Sequence, residues 1–496
     1  MDRKTLVAIA LCFLIFVTWD RWVLQPRLSQ VTPSVPQAQK APLVLEEPEA
    51  HSLSVRTALG EVFLGDRGSF LTDFRLKDYT LPAPQETTAV TLGSVTSKKN
   101  QINLTFDSPD FRYLNQIQGD LTATPEGARW THQDAQVKIT REFIASENQP
   151  YIDVNVHLEF QKEHPRYAFL SLHLAPSEND TETQERQWIY WTRDQVEDLP
   201  LKKASQLADI PSTLDYIGAS NHYFLLALIA QGQSPHGLVQ PHANAQSSMS
   251  LVYSIMEPTL HIPLRVYFGP KEIGILKTIH PHLGSTLNFG WFAPFAHVLL
   301  ATLQWLYPLV RNYGIAIILL TLFLKLITYP LTYKSMKNMK KMARLQPELQ
   351  KIREEYASDK QQLNIQMLHF MKKNGYSPMA GCFPMLIQMP IFFTLYKVLY
   401  GSVELYHAPF MFWITDLSTS DPYYITPILG SLAMVVQQKL TPNTATDPAQ
   451  AKMMQFMPLI FGVFMLGVPA GLALYMLTNT LASIVQQIFL NRRLNA

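Results

Sequence analysis

Between residues 314 and 489 the chain is a succession of apolar runs, one of which carries a lysine at its centre. Runs at 314–333, 383–403, 423–438, 455–466 and 471–489 compare with the roughly 20 residues that a helix needs to cross hydrocarbon. In lipid every backbone polar group must be satisfied internally, so these runs are predicted helices. The fourth is short and meets the fifth through Gly467-Val468-Pro469-Ala470-Gly471. That tight turn predicts a helical hairpin.

The rest of the chain is different in kind. An overall hydrophobic content of 47% averages this apolar half with a mixed, polar stretch from about Glu46 to Leu283. The net charge of +2 says nothing about a nucleic-acid partner, because the positive charge is local. Met1-Asp2-Arg3-Lys4 precedes an apolar run from Leu6 to Trp19. Trp19-Asp20-Arg21-Trp22 then stands where a cleaved leader has small residues, so an uncleaved anchor with a cytoplasmic N-terminus is expected. Prolines recur from Gln25 to Pro48, which reads as an extended linker. Cys12 and Cys382 lie in apolar surroundings, giving no disulfide framework. Leu11 is too large for lipoprotein processing at Cys12.

From about Leu53 to Phe268 the pattern has period two. Residues 102–106, 137–140 and 152–158 alternate apolar and polar side chains, as a large antiparallel β-sandwich requires. Chemistry is sparse there. Gly269 and Gly274 have phosphate-loop spacing, but Ile275 replaces the lysine that must follow. His280 and His282 flank Pro281 without a third ligand, so packing is the expected role. No cofactor, metal or catalytic constellation is expected.

Topology arbitrates the ambiguous run at 291–310, which has no formal charge but contains Pro294, His297, Gln304 and Pro308. Residues 334–373 hold ten Lys/Arg against four acids, a cytoplasmic signal. With the N-terminus also inside, the number of crossings between the two must be even. The run 291–310 is therefore expected to lie in the outer interface. Within the basic segment, Leu345, Leu349, Ile352 and Tyr356, then Leu363, Met367 and Phe370, recur at helical spacing. A helical hairpin is predicted, kinked or restarted at Pro347. Its Met-rich basic start (Lys334, Met336, Lys337, Met339, Lys340, Lys341, Met342) fits anionic lipid, ribosomal RNA or an apolar nascent segment, and equally fits simple positive-inside anchoring.

The organisation expected is an anchor (1–24), a linker (25–50), a periplasmic β-sandwich (51–285) and an interfacial amphipathic helix (286–312). Spans follow at 313–333, 383–403, 423–440, 453–467 and 470–490. They are joined by a basic hairpin (334–382), an outer loop (404–422) and an inner loop (441–452), with a cytoplasmic tail at 491–496. The fold class is thus six transmembrane helices plus an antiparallel β-sandwich.

Lys325 lies at mid-depth, where a charge costs roughly 2.5–3.5 kcal/mol or more. Thr321, Lys325, Thr328 and Thr332 follow spacings of four, three and four, one polar face of an apolar helix. Tyr475, Asn479, Ser483 and Gln486 form a similar stripe on the last helix, and Gln388 adds an amide to the third. Two such stripes suit a shared, water-containing cavity, or else simple helix-to-helix hydrogen bonding. Lys325 has no acidic partner in any later span, which favours the cavity. A secondary transporter and a membrane-tethered sugar-binding protein are the other classes, though no internal repeat supports the first.

The block Gly381-Cys382-Phe383-Pro384-Met385-Leu386-Ile387-Gln388-Met389-Pro390-Ile391-Phe392 resembles the YidC/Oxa/Alb family of membrane protein insertases. So do Tyr329-Pro330-Leu331-Thr332, Leu345-Gln346-Pro347, Gly401-Ser402-Val403-Glu404-Leu405, Asp421-Pro422-Tyr423-Tyr424 and Thr446-Asp447-Pro448. The resemblance implies a five-helix core with a hydrophilic groove open to cytoplasm and lipid, and a periplasmic supersandwich. It also implies inner-membrane residence, nascent membrane proteins as clients and the Sec translocon as partner; the ribosome is expected instead from the basic cytoplasmic loops and tail. In relatives the groove charge is usually arginine, and Lys325 occupies that place here. Where relatives often have two successive tyrosines, this chain has Tyr475-Met476. A lysine lacks the bidentate guanidinium fork, so positive charge survives while the case for specific carboxylate recognition is weakened.

Overall fold

The computed structural model describes residues 52–495 except 67–70, 72, 81–88, 92–101, 175–186, 193–195, 201–207, 211–212, 233–234, 243–246, 288, 357–358, 374–382 and 442–447. The expected anchor and linker lie outside the described residues. The chain divides into two compact units, one β and ending at Leu287, the other helical and starting at Asn288.

The β unit contains three antiparallel sheets among the described residues. The largest runs Val196–Pro200, Gln187–Trp191, Tyr216–Ser220, Phe224–Ala230, Thr259–Pro270, Tyr151–Phe160, Val137–Ala145, Gly127–Gln133 and Asp120–Thr124. A five-stranded sheet orders Ala208–Ile210, His236–Pro241, Ser247–Ser254, Tyr167–Leu174 and Asn103–Phe106. The third is a four-stranded meander of Ser52–Arg56, Gly60–Gly65, Asp73–Thr80 and Ala89–Thr91.

The expected alternation is what builds the core. Ile152, Val154, Val156 and Leu158 are buried and stand opposite Val266, Leu264, Ile262 and Leu260. On their other side Val156 faces Arg141, whose guanidinium lies 4.2 Å over the buried Trp130 ring. The Trp130 indole N–H donates to the Asp66 carbonyl at 2.9 Å. Trp188, on the large sheet, donates to Ser247 of the five-stranded sheet at 2.8 Å. Buried indoles need such acceptors. The two junction histidines pack on aromatic rings: His282 stacks on Trp191 at 4.1 Å and His280 meets Tyr216 edge-on at 6.0 Å. The first of the helices, α1 (Ile273–Ile279), lies beside them in sequence.

The helical unit comprises α2 (Ala293–Val310), α3 (Tyr313–Glu355), α4 (Lys360–Lys373), α5 (Phe383–Gly401), α6 (Ile425–Leu440), α7 (Pro448–Met465) and α8 (Ala470–Asn495). Helix α8 packs against α3, α5 and α6, while α2 packs against α3 and α5. Among the described residues α2, α3 and Ala470–Arg492 are long and apolar enough to cross a membrane. Gln455–Met465 is a shorter apolar helix. Leu322, Phe323, Leu326 and Ile327 are exposed and give α3 one outward apolar face.

Helix α3 departs from the sequence reading. It does not end near Tyr333 but continues through Pro330 and Pro347 to Glu355, 43 residues in all. Of the kink or restart expected at Pro347, the restart does not occur. Each proline removes one backbone hydrogen bond, but Lys, Met, Arg, Gln and Glu dominate the segment and favour helix. The first arm of the predicted hairpin is therefore an extension of the span, and α4 is the second arm.

The segment joining α5 to α6 is tightly bonded. The Asn312 side-chain amide, at the start of α3, donates to the Phe410 carbonyl at 3.0 Å. The backbone N–H groups of Ala470 and Gly471, at the start of α8, donate to the carbonyls of Thr419 and Leu417 at 2.6 and 2.9 Å. Asp421 accepts from the backbone of Thr426 (2.7 Å) and Tyr423 (3.0 Å) and from the Trp413 indole (3.2 Å). Burial pushes the Asp421 carboxyl up, but these donors outweigh it and hold the group below the usual carboxylate range. Asp421→Ala is expected to cost about 1–2 kcal/mol, as the loss of a helix-start acceptor does. Because the folded value is depressed, this stabilisation is complete at neutral pH. It disappears as pH falls through the folded value, below the range where an unfolded aspartate protonates. Thermal unfolding of wild type and variant in detergent should therefore converge in acid; a gap that persists there would refute the assignment.

Candidate functional site

Helix periodicity brings the two polar stripes together. Positions 475, 479, 483 and 486 share one face of α8 because four, four and three residues each advance close to one turn. That face meets Lys325 of α3. The Lys325 ammonium donates to the Ser483 hydroxyl at 2.7 Å, and Ser483 donates in turn to the Asn479 carbonyl at 2.8 Å. The Gln486 side chain donates to the Lys325 backbone carbonyl at 3.1 Å. Lys325 thus pairs with a neutral hydroxyl, not a carboxylate, and keeps further donors in hand.

A second cluster lies along the same face. The Gln388 amide of α5 donates to the Tyr475 hydroxyl at 3.0 Å and to Asn479 Oδ1 at 3.4 Å. Tyr475 is buried. Three helices are consequently joined by side chains that lipid alone would not satisfy.

The threonines behave differently. Thr321 donates to the Ile317 carbonyl (2.7 Å), Thr328 to that of Leu324 (2.8 Å) and Thr332 to that of Thr328 (3.0 Å). Each hydroxyl proton returns to its own helix, four residues back. Thr321 is buried, whereas Thr328 and Thr332 are half-buried. They extend the polar surface as acceptors rather than cross-linking it.

Two polar contacts were not foreseen. Gln487 donates to the Thr441 hydroxyl at 2.9 Å, tying α8 to the end of α6; its place next to Gln486 and four after Ser483 was the available signal. Gln304 of α2 donates to Glu404 at 2.7 Å. Burial pushes the Glu404 carboxyl up, opposed by this bond. Glu404 is the first of three acids in a stretch after α5 that has no Lys or Arg, but nothing in the sequence named its partner.

A family model described as "YidC periplasmic domain" matches residues 52–302, and one described as "60Kd inner membrane protein" matches residues 305–496. Curated relatives named "Membrane protein insertase YidC" include one from Geobacter metallireducens, 41% identical over 62% of this chain and 57% of its own length. Another, from Methylobacillus flagellatus, is 43% identical over 56% of this chain and 51% of its own length. A third, from Wolinella succinogenes, is 45% identical over 48% and 44%. The alignments therefore span about half the length of these relatives. A solved structure titled as an active YidC insertase with its first transmembrane domain resolved covers 98% of this chain and 99% of its own at 19% identity. Its TM-score of 0.39 is too low to bear on the fold.

Proposed function

We propose, from the premise that this chain belongs to the YidC family of membrane protein insertases, that it inserts integral membrane proteins into the bacterial inner membrane and assists their folding. It works alone or beside the Sec translocon, and it is not an enzyme. Six helices span the bilayer: the N-terminal anchor and a core of α3, α5, α6, α7 and α8. Helix α2 lies in the outer interface, both termini are cytoplasmic, and the sandwich is periplasmic. The basic extension of α3 meets the ribosome and anionic lipid.

One observation carries this reading: a cation shared with a hydroxyl, Lys325 on Ser483, within a polar face formed by otherwise apolar helices. A charge at that depth costs roughly 2.5–3.5 kcal/mol, so it persists where it has work to do. A nascent apolar segment docks along α5 and α8 while its short polar flank enters the groove lined by Thr321, Lys325, Thr328, Thr332, Gln388, Tyr475, Asn479 and Ser483. Lys325 and water solvate the flank halfway across, which lowers the barrier to crossing. Release into lipid is driven by about 0.8 kcal/mol per buried CH₂.

Photocrosslinkers placed at Thr328, Gln388 and Asn479 test the path. A ribosome-bound membrane segment should crosslink at all three during insertion and at none after release. Folded protein that never crosslinks to an inserting segment would remove the groove from the mechanism.

A further inference from the structure

We propose that the tip of the segment joining α5 to α6, Met411 and Phe412, docks into the interfacial layer of the bilayer, with lipid as its partner. The proposal rests on α6 crossing the membrane.

Phe412 is 85% exposed and Met411 45%, within a stretch from Pro409 to Thr415 that has no formal charge. An exposed apolar tip is unfavourable in water and suits the boundary between headgroups and acyl chains. The backbone leaves the tip no route inward. Phe410 N–H donates to the Ile414 carbonyl at 3.0 Å and Leu417 N–H to that of Ala408 at 2.9 Å, closing a compact loop. The Phe410 ring sits against Gly314, where an added Cβ would collide with it. Phe412 itself adopts φ 57°, a left-handed conformation that costs a non-glycine residue free energy.

The charges of the loop point the other way. Asp416 binds the backbone and hydroxyl of Ser418 and lies 3.1 Å from His407 Nδ1. Asp421 is held by Thr426, Tyr423 and Trp413. A loop built for water turns its carboxylates out and its apolar side chains in; this one holds Asp416 and Asp421 in and leaves Phe412 and Met411 out.

Continuity identifies the partner. The Trp413–Asp421 bond sets the tip beside the start of α6. There the exposed Tyr423 and Tyr424 lead into exposed Ile428, Leu429, Leu432 and Val436. Tyrosines at the head of a lipid-facing helix are typical of the interfacial belt. Because the same loop is bonded to the first turns of α3 and α8, its docking fixes the depth of both groove helices.

The test uses the full chain with Cys12→Ser and Cys382→Ser, in phosphatidylcholine–phosphatidylglycerol vesicles. A nitrobenzoxadiazole label is attached at Phe412→Cys, or separately at Met411→Cys, with Ile428→Cys as lipid reference and Met256→Cys as water reference. For an interfacial residue, quenching by lipid spin-labelled near the top of the acyl chain should exceed that by aqueous iodide about threefold. Both tip labels behaving like Met256, while Ile428 remains lipid-quenched, would overturn the proposal and leave the spanning helix intact. Protection from both quenchers, as under a docked protein, would also overturn it. An iodide-accessible Ile428 would overturn the spanning reading and the proposal together.

Discussion

Lys325→Leu should make the helical unit more resistant to heat while cutting insertion of clients with charged or polar flanks by about tenfold or more. The cation costs roughly 2.5–3.5 kcal/mol at mid-depth. Its charge-assisted bond to Ser483 returns about 1.5–3 kcal/mol of that. Leucine removes both, so the balance favours the variant by about 1 kcal/mol. Gln486 donates to the backbone carbonyl of residue 325 and loses nothing. Insertion moves oppositely, because the groove no longer offers a cation to a flank in transit. Lys325→Arg should stay close to wild type in both respects, since charge and not geometry is the requirement proposed. The measurements are unfolding of the detergent-solubilised chain and insertion into proteoliposomes. Insertion by the leucine variant at the wild-type rate would mean that the charge is dispensable.

Trp130→Ala should destabilise the β unit by about 3–5 kcal/mol, the range for a truncated buried aromatic. The ring is 1% exposed and lies under the Arg141 guanidinium, and its N–H satisfies the Asp66 carbonyl. Gly119 is fitted to it so closely that a Cβ there would collide with the ring. Removing the indole empties a close-packed site and strips a buried cation of its platform. Limited proteolysis of the full chain across a urea series reads the loss directly. The same variant separates functional readings. An insertase whose β domain acts as a spacer keeps its insertion activity in the absence of urea, whereas a protein that works through its β domain loses function with it.

The polar stripes were legible because a helix forces positions three and four apart onto one face, so 321, 325, 328 and 332 could be grouped without knowing the neighbours. The contact map was not. Nothing in the sequence decides that Lys325 reaches Ser483 rather than Asn479, or that Gln388 spans to Tyr475, because rotation about each helix is set by packing. The extent of α3 is not legible in the sequence for another reason. A boundary near Tyr333 follows from where lipid must end, and lipid does not terminate a helix whose next residues are Lys, Ser, Met and Lys. Strand alternation located the sandwich but not its division into three sheets, since register and sheet membership depend on partners far apart in the chain. The loop between α5 and α6 was legible only as uncharged by Lys or Arg. Its shape depends on left-handed backbone at His407, Phe412 and Tyr424, which no residue type there announces.

The unbroken course of α3 from Tyr313 to Glu355 makes it a lever. At 1.5 Å per residue it is about 65 Å long, and Glu355 stands roughly 45 Å from Lys325 along the axis. A force that tilts the far end by about 8 Å rotates the rod by some 10°. With Lys325 as pivot, the rotation reorients α3 against α8 at the Lys325–Ser483 contact without any change of secondary structure. Pro330 lies between load and fulcrum, and Pro347 nearer the load. They are the places where such a rod would bend instead of transmitting. Load applied at the basic end therefore reaches Lys325 through an arm about 45 Å long.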